Sequence, residues 1–101
     1  MLFMVIGGNN QAFYMLPPEK MMEQAMLMDA WTRKQLESGK CKAIYVADGN
    51  KRYFSIWELA SYEEGVQLSM AGPTWQYQDF EVIPVVDYDQ SMKLAMSAPG
   101  K

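Results

Sequence analysis

The sequence has no histidine and a single cysteine, Cys41. Without imidazole, Ser-His-Asp and Cys-His arrangements are excluded. Zinc sites built on imidazole or on several thiolates are excluded with them. One cysteine cannot form an internal disulfide, so a reducing cytoplasm is the expected setting. No GxGxxG and no P-loop occur, which leaves a nucleotide cofactor without support. Neither a cofactor nor a metal is expected. Lysine and arginine form no cluster, and the net charge is −3. That balance argues against nucleic acid or an anionic membrane as the main partner. No apolar run approaches the roughly 20 residues of a membrane span. The opening MLFMVIGG lacks a basic leader and is not expected to be a signal peptide. Linkers, repeats and low-complexity segments are also missing.

What is present suits one folded domain. The chain has 101 residues, half of them apolar and 21% charged. Residues 1–7 read as a buried first strand, broken by Gly7, Gly8, Asn9 and Asn10. Residues 11–16 read as a loop. Pro17 and Pro18 open a helix that runs to Ser38, where Gly39 stops it. Its apolar set is Met22, Ala25, Met26, Trp31 and Leu36, widened by Met21, Leu27, Met28 and Ala30. CKAIYVA and KRYFSIWEL flank Asp48-Gly49 and predict a hairpin. Ser61 and Glu64 form a capping box that opens a second helix, ended by Gly72 and Pro73. A last strand is expected from Trp75 to Val86. The order β-α-β-β-α-β is the ferredoxin-like pattern, an α+β fold with an antiparallel sheet. Residues 1–86 form this domain. Residues 87–101 form a C-terminal tail whose Met92, Leu94 and Met96 suggest docking, for instance on a neighbouring subunit.

The pleat of the strands sorts side chains between two faces. Phe3, Val5, Ile44, Val46, Phe54, Ile56, Phe80 and Val82 are expected beneath the helices. Met4, Tyr45, Tyr53, Ser55, Trp57, Tyr77, Asp79 and Glu81 are expected on the opposite face. That second face is too aromatic for water and too polar for a plain core, which points to an interface or a ligand site. Two such sheets packed face to face would make a dimeric α+β barrel.

The opening MLFMV, the helix end LESGK, the strand and cap FSIWELASYEE and the closing GPTWQYQDFEVIPV together resemble muconolactone isomerases. The resemblance spans about residues 1–86. It implies a ferredoxin-like subunit, dimeric α+β barrel pairing and a larger homo-oligomer. It also implies cofactor-independent movement of a double bond in a small unsaturated lactone by proton removal and return. Asp29 matches the acidic residue of the first helix, Ser55 the serine of the third strand, and Asp79 and Glu81 the acidic pair of the last strand. Met4 stands where the family commonly has histidine, and Val46 where it has a basic residue.

Candidate roles follow. Asp29 is the proton shuttle, if its place beside Met28 and Ala30 desolvates it; the alternative is an exposed ion pair with Arg33. Tyr53 and Tyr45 are candidate donors to an enolate oxygen, and Trp57, Trp75 and Tyr77 candidate walls for a flat ligand. The alternative is a dimer interface, where aromatics are enriched. Met4, Arg33 and Ser55 complete the candidate ligand contacts. Asp79 and Glu81 are an acid-base pair or partners of a cation such as Lys51. The methionines are pocket lining or core filling, and Cys41 is a nucleophile or a passive thiol. A non-catalytic small-molecule-binding or assembly module of the same fold is the competing reading.

Overall fold

Asp48 and Gly49 adopt left-handed backbone, with φ of 55° and 63°. This is the conformation that reverses a two-stranded ribbon without splaying it. The turn joins β2 (Cys41–Ala47) to β3 (Arg52–Glu58). The structure is a computed structural model describing residues 1–49 and 51–97, so Asn50 of the turn lies outside the described residues. β1 (Leu2–Asn9) pairs antiparallel with β3 on one side and with β4 (Gln78–Val85) on the other. The sheet order is β2-β3-β1-β4.

After β1, Asn10 caps a short α1 (Gln11–Tyr14), accepting a hydrogen bond from Phe13 N at 3.2 Å. A helical turn thus replaces part of the loop expected over residues 11–16. α2 (Pro18–Ser38) has Pro18 at its first position and Gly39 as its left-handed stop at φ 83°. α3 (Tyr62–Ala71) is capped by Ser61, whose Oγ accepts from Glu64 N, while Glu64 reaches back to Ala60 N. The expected strand start at Trp75 is instead a 3-10 turn, Trp75–Tyr77, and β4 begins at Gln78. α4 (Tyr88–Ser97) leaves every side chain exposed, and the molecule is 58 Å long against 25 and 22 Å in its other dimensions. The expected docking of residues 87–101 thus has no counterpart within the same chain, and residues 98–101 lie outside the described residues. No helix among the described residues is long and apolar enough to cross a membrane.

One face of the sheet meets α2 and α3. Register places Phe3 opposite Trp57, Val5 opposite Ser55 and Val82, and Gly7 opposite Tyr53 and Phe80. A bulge at Lys42 turns Cys41 onto this face as well, opposite Trp57. Phe3, Cys41, Trp57 and Leu59 make the buried core, with Trp31 of α2 and Leu68 of α3 packed against it.

This register corrects the expected faces at one strand. β1, β2 and β4 show the expected side chains to the helices. β3 shows Tyr53, Ser55 and Trp57 there, and turns Phe54 and Ile56 to the opposite face. The reason lies in pairing. β3 is the central partner of β1 and β2, and a strand's register, not its share of apolar residues, decides which alternate set faces inward. The outer face therefore carries Met4, Ile6, Phe54, Ile56 and Ile83, all partly exposed, with Tyr45 69% exposed beside them.

Close approach of backbone at the hairpin base demands glycine at position 8. A Cβ there would lie 2.7 Å from the Lys51 carbonyl oxygen. Gly8→Ala should therefore destabilise the fold by about 1–3 kcal/mol, the usual cost of overpacking. Urea unfolding followed by circular dichroism measures it; an unchanged midpoint would contradict the tight approach.

Candidate functional site

α2 contributes no buried residue. Its inward residues Gln24, Ala25, Met28, Trp31, Thr32 and Leu36 recur at three- and four-residue steps, as one face of a helix must. Met22 and Met26, expected to face inward, lie on the outside and are about two-thirds exposed (63% and 66%). Between this face, α3 and the sheet lies a cavity of about 580 Å³. That is within the usual size of small-molecule sites, roughly 300–1,000 Å³.

The core closes one end of the cavity. Trp31 lies over Trp57 with ring centroids 6.0 Å apart and planes tilted by 38°. The Trp57 indole N–H donates to Ser55 Oγ at 2.8 Å, and Ser55 Oγ donates to the Val5 carbonyl at 3.2 Å. Ser55 is buried, and its hydroxyl proton and one lone pair are both used.

The other end is polar. Tyr53 Oη donates toward Gln78 Oε1 and lies 3.3 Å from Asn9 Oδ1, and Gln78 Nε2 donates to Asn9 Oδ1 at 2.6 Å. Gly7 makes room for this arrangement: a Cβ there would meet the Tyr53 and Phe80 rings at 3.2 Å. Burial pushes the Tyr53 phenol above its ordinary pKa; the Gln78 hydrogen bond partly opposes this, and nearby Tyr14 adds to it. Tyr53 is thus held as a neutral donor. Two further lining residues each carry an oxygen, Gln24 Oε1 and Thr74 Oγ1, that is buried and makes no hydrogen bond among the described residues.

The structure brings six of the nine candidate residues to this cavity: Asp29, Arg33, Tyr53, Ser55, Trp57 and Trp75. Asp29 stands at the rim, 62% exposed, and accepts a hydrogen bond from Arg33 Nε at 3.0 Å. Met4 and Tyr45 are on the outer face and do not reach the cavity. Tyr77 lies in the 3-10 turn outside the lining, although its carbonyl accepts from Asn10 N at 2.9 Å. Asp79 and Glu81 are exposed, line no part of the cavity and form no ion pair among the described residues. Cys41 is buried, and desolvation pushes its thiol upward despite a bond to the Ala43 carbonyl, so it behaves as a passive thiol. No group of three or more His, Cys, Asp or Glu among the described residues could hold a metal ion.

Asn9, Gln24, Thr74 and Gln78 were not among the candidates. One signal for Gln78 was available: it alternates with Phe80 and Val82, so it occupies an inward position of an apolar strand. Thr74 gave none, because its burial comes from the chain path between α3 and β4.

The raised Tyr53 pKa has a definite sign. The folded state holds this proton more tightly than the unfolded chain, so its contribution to stability is full below the unfolded phenol value. It is lost as pH rises through the higher folded value. Tyr53→Phe should flatten the alkaline fall in stability and remove the highest phenolate transition in an ultraviolet titration. At neutral pH it should cost about 1–3 kcal/mol by leaving the Gln78 Oε1 without its donor, while Asn9 Oδ1 keeps the bond from Gln78 Nε2. An unaltered titration curve would contradict the burial of this phenol.

Comparison with solved structures finds a crystal structure of muconolactone isomerase at a TM-score of 0.71. The two chains are 19% identical over 100% of this chain and 97% of the other. No family model matches the sequence, and no curated protein matches it. At this identity the likeness shows the fold: α+β, ferredoxin-like, of the dimeric α+β barrel class.

Proposed function

We propose that the chain is a muconolactone isomerase-like, cofactor-independent enzyme that transfers a proton within a small unsaturated or cyclic metabolite, of lactone or enone type. The observation that carries this reading is the cavity itself, with a neutral, half-buried phenol at one end and a carboxylate at its rim. Trp57 and Trp75 supply flat apolar walls. Tyr53 would turn its proton from Gln78 to a ligand carbonyl oxygen as negative charge develops there. Asp29 would take the proton from the neighbouring carbon and return it to another, which conserves atoms and needs no oxidant. Ser55 would fix the Trp57 wall, and Arg33 would orient Asp29.

One observation favours the second reading, a non-catalytic binding or assembly module. Asp29 is mostly exposed and bonded to Arg33, a pair of the kind that is often only a surface contact. Asp29→Asn separates the two. Under the enzyme reading it should lower turnover by about 10²–10⁴-fold, the usual worth of a general base, with ligand affinity little changed. Solvent deuterium incorporation into small unsaturated lactones and cyclic enones is the readout, because exchange reveals enolisation even without net product. Ligand binding without exchange in the wild type would leave the module reading standing alone.

Assembly belongs to the same proposal. The partly exposed apolar outer face is expected to pair with that of a second copy, giving a homodimer or larger homo-oligomer. Residues 87–101 are expected to dock on the neighbouring subunit. A single buried cysteine, with no internal disulfide possible, fits a cytoplasmic setting. Ile56→Asp should abolish the oligomer, whereas Trp57, now on the cavity side, carries no such expectation. Light scattering of both proteins checks this; a monomeric wild type would sink the pairing.

A further inference from the structure

Tyr53, Asn9 and Gln78 stand on three neighbouring strands, β3, β1 and β4, and all face the helices. Gly7 lies between Tyr53 and Phe80 in the register, and its missing side chain lets the phenol reach across β1 to Gln78. Two amide oxygens converge on the one hydroxyl. Gln78 Oε1 accepts from Tyr53 Oη, and Asn9 Oδ1 lies 3.3 Å from it. The phenol has a single proton to give. Gln78 Nε2 donates to Asn9 Oδ1 at 2.6 Å, while Asn9 Nδ2 donates to nothing among the described residues.

This order holds the proton on Tyr53 and does not help it leave, because acceptor oxygens disfavour a phenolate. An amide has a second arrangement open to it. Half a turn about its last bond exchanges Oε1 for Nε2 in nearly the same space. Gln78 would then donate to Tyr53 Oη, and its Oε1 would accept from Asn9 Nδ2 once Asn9 turns with it. The same two contacts are kept, Tyr53 to Gln78 and Gln78 to Asn9, with their direction reversed. The Tyr53 proton is thereby freed toward the cavity, and a donor now supports the oxygen that gives it up.

We infer that Gln78, backed by Asn9, is the positioning residue for Tyr53: its amide accepts the phenol proton in the empty site and turns to donate to the same oxygen when that proton is shared with a ligand or lost. The inference rests on Tyr53 being the donor of the proposed reaction, and it adds how that donor is strengthened as charge develops. Gln78 is only 8% exposed and needs no contact with the ligand, since it acts through Tyr53.

A hydrogen bond to a charged group is stronger than one to a neutral group. An amide that turns therefore favours the phenolate, whereas an amide fixed with its oxygen toward Tyr53 favours the phenol. Removing Gln78 moves the Tyr53 transition in opposite directions under the two arrangements. The other ionisable groups around Tyr53 are Tyr14 of α1 and the Asp29–Arg33 pair of α2; the cavity residues of β2, α3 and β4 carry no charge. Arg52, Asp79 and Glu81 lie on the opposite face of the sheet.

The test replaces tyrosine throughout with 3-fluorotyrosine, which ionises at lower pH, and follows each signal by fluorine NMR. The Tyr53 signal is the one lost in Tyr53→Phe. Gln78→Met keeps the side-chain length and removes the amide. It should move the Tyr53 transition upward by about one pH unit, the difference between a charged and a neutral hydrogen bond. Gln78→Leu repeats the comparison should that variant fail to fold. A downward shift, or none, would overturn the turning amide. Deuterium exchange into the lactone and enone probes reads the second consequence. With a probe that the wild type exchanges, Gln78→Met should lower turnover about tenfold with KM little changed, and unchanged turnover would overturn the positioning role. Failure of the wild type to exchange any probe would sink the proton-transfer reading, and the fluorine titration would still decide whether the amide turns.

Discussion

The contact between Trp31 and Trp57 sets the geometry of the whole site. Two indoles cannot interpenetrate, so their 6.0 Å centroid separation fixes how far α2 stands above β3 at the core end. Trp57 is itself held by the Ser55 hydroxyl and by burial against Phe3, Cys41 and Leu59. Away from this point α2 presents Gln24, Ala25 and Met28 to the sheet, and the sheet presents Val5, Ile44 and the Tyr53 ring. These side chains, Ala25 the smallest, do not fill the space that the indoles hold open. The cavity follows from the size mismatch along a single helix face, and α2 accordingly buries no residue fully.

A helix so sparsely buried would be a poor arrangement for stability alone. Propensity and hydrogen bonding within a helix of 21 residues contribute little unless an apolar face is packed. The chain keeps this weak packing together with two buried oxygens, on the lining residues Gln24 and Thr74, that are unpartnered among the described residues. Departures from close packing and from polar satisfaction that coincide in space are what the proposed ligand site would account for. The same features scattered over the surface would carry no such meaning.

Much of the fold was legible because its signals are local. Pro18 and Gly39 bound α2, Ser61 and Glu64 open α3, and Asp48-Gly49 turns the hairpin; each is a backbone requirement that few residues satisfy. The face of β3 was not legible, because both its alternate sets hold large apolar side chains: Phe54 and Ile56 in one, Trp57 and Tyr53 in the other. Only pairing with β1 and β2 distinguishes them, and pairing is non-local. That one inversion moved the expected site from the outer face to the helix side. It carried Tyr53, Ser55 and Trp57 to the cavity and left Met4 and Tyr45 behind. The α2 residues Asp29 and Arg33 needed no such assignment, since a helix position i and i+4 share a face whichever way the sheet turns.

The proposed reaction would divide its tasks by depth. A carboxylate that removes a proton from carbon near neutral pH works best partly desolvated, whereas Asp29 is open to water and bonded to Arg33. A bound ring at the rim would itself displace that water, so the ligand would supply the desolvation that the free protein lacks. Tyr53 is in the opposite condition: already half-buried, already neutral, with its proton bonded to an amide oxygen. In the proposed reaction the deep donor would be preorganised and the rim base conditional on occupancy. In such an arrangement a ligand too small to reach from Tyr53 to the rim would bind without reacting. Ligand length, more than ring chemistry, would then decide whether binding leads to proton transfer.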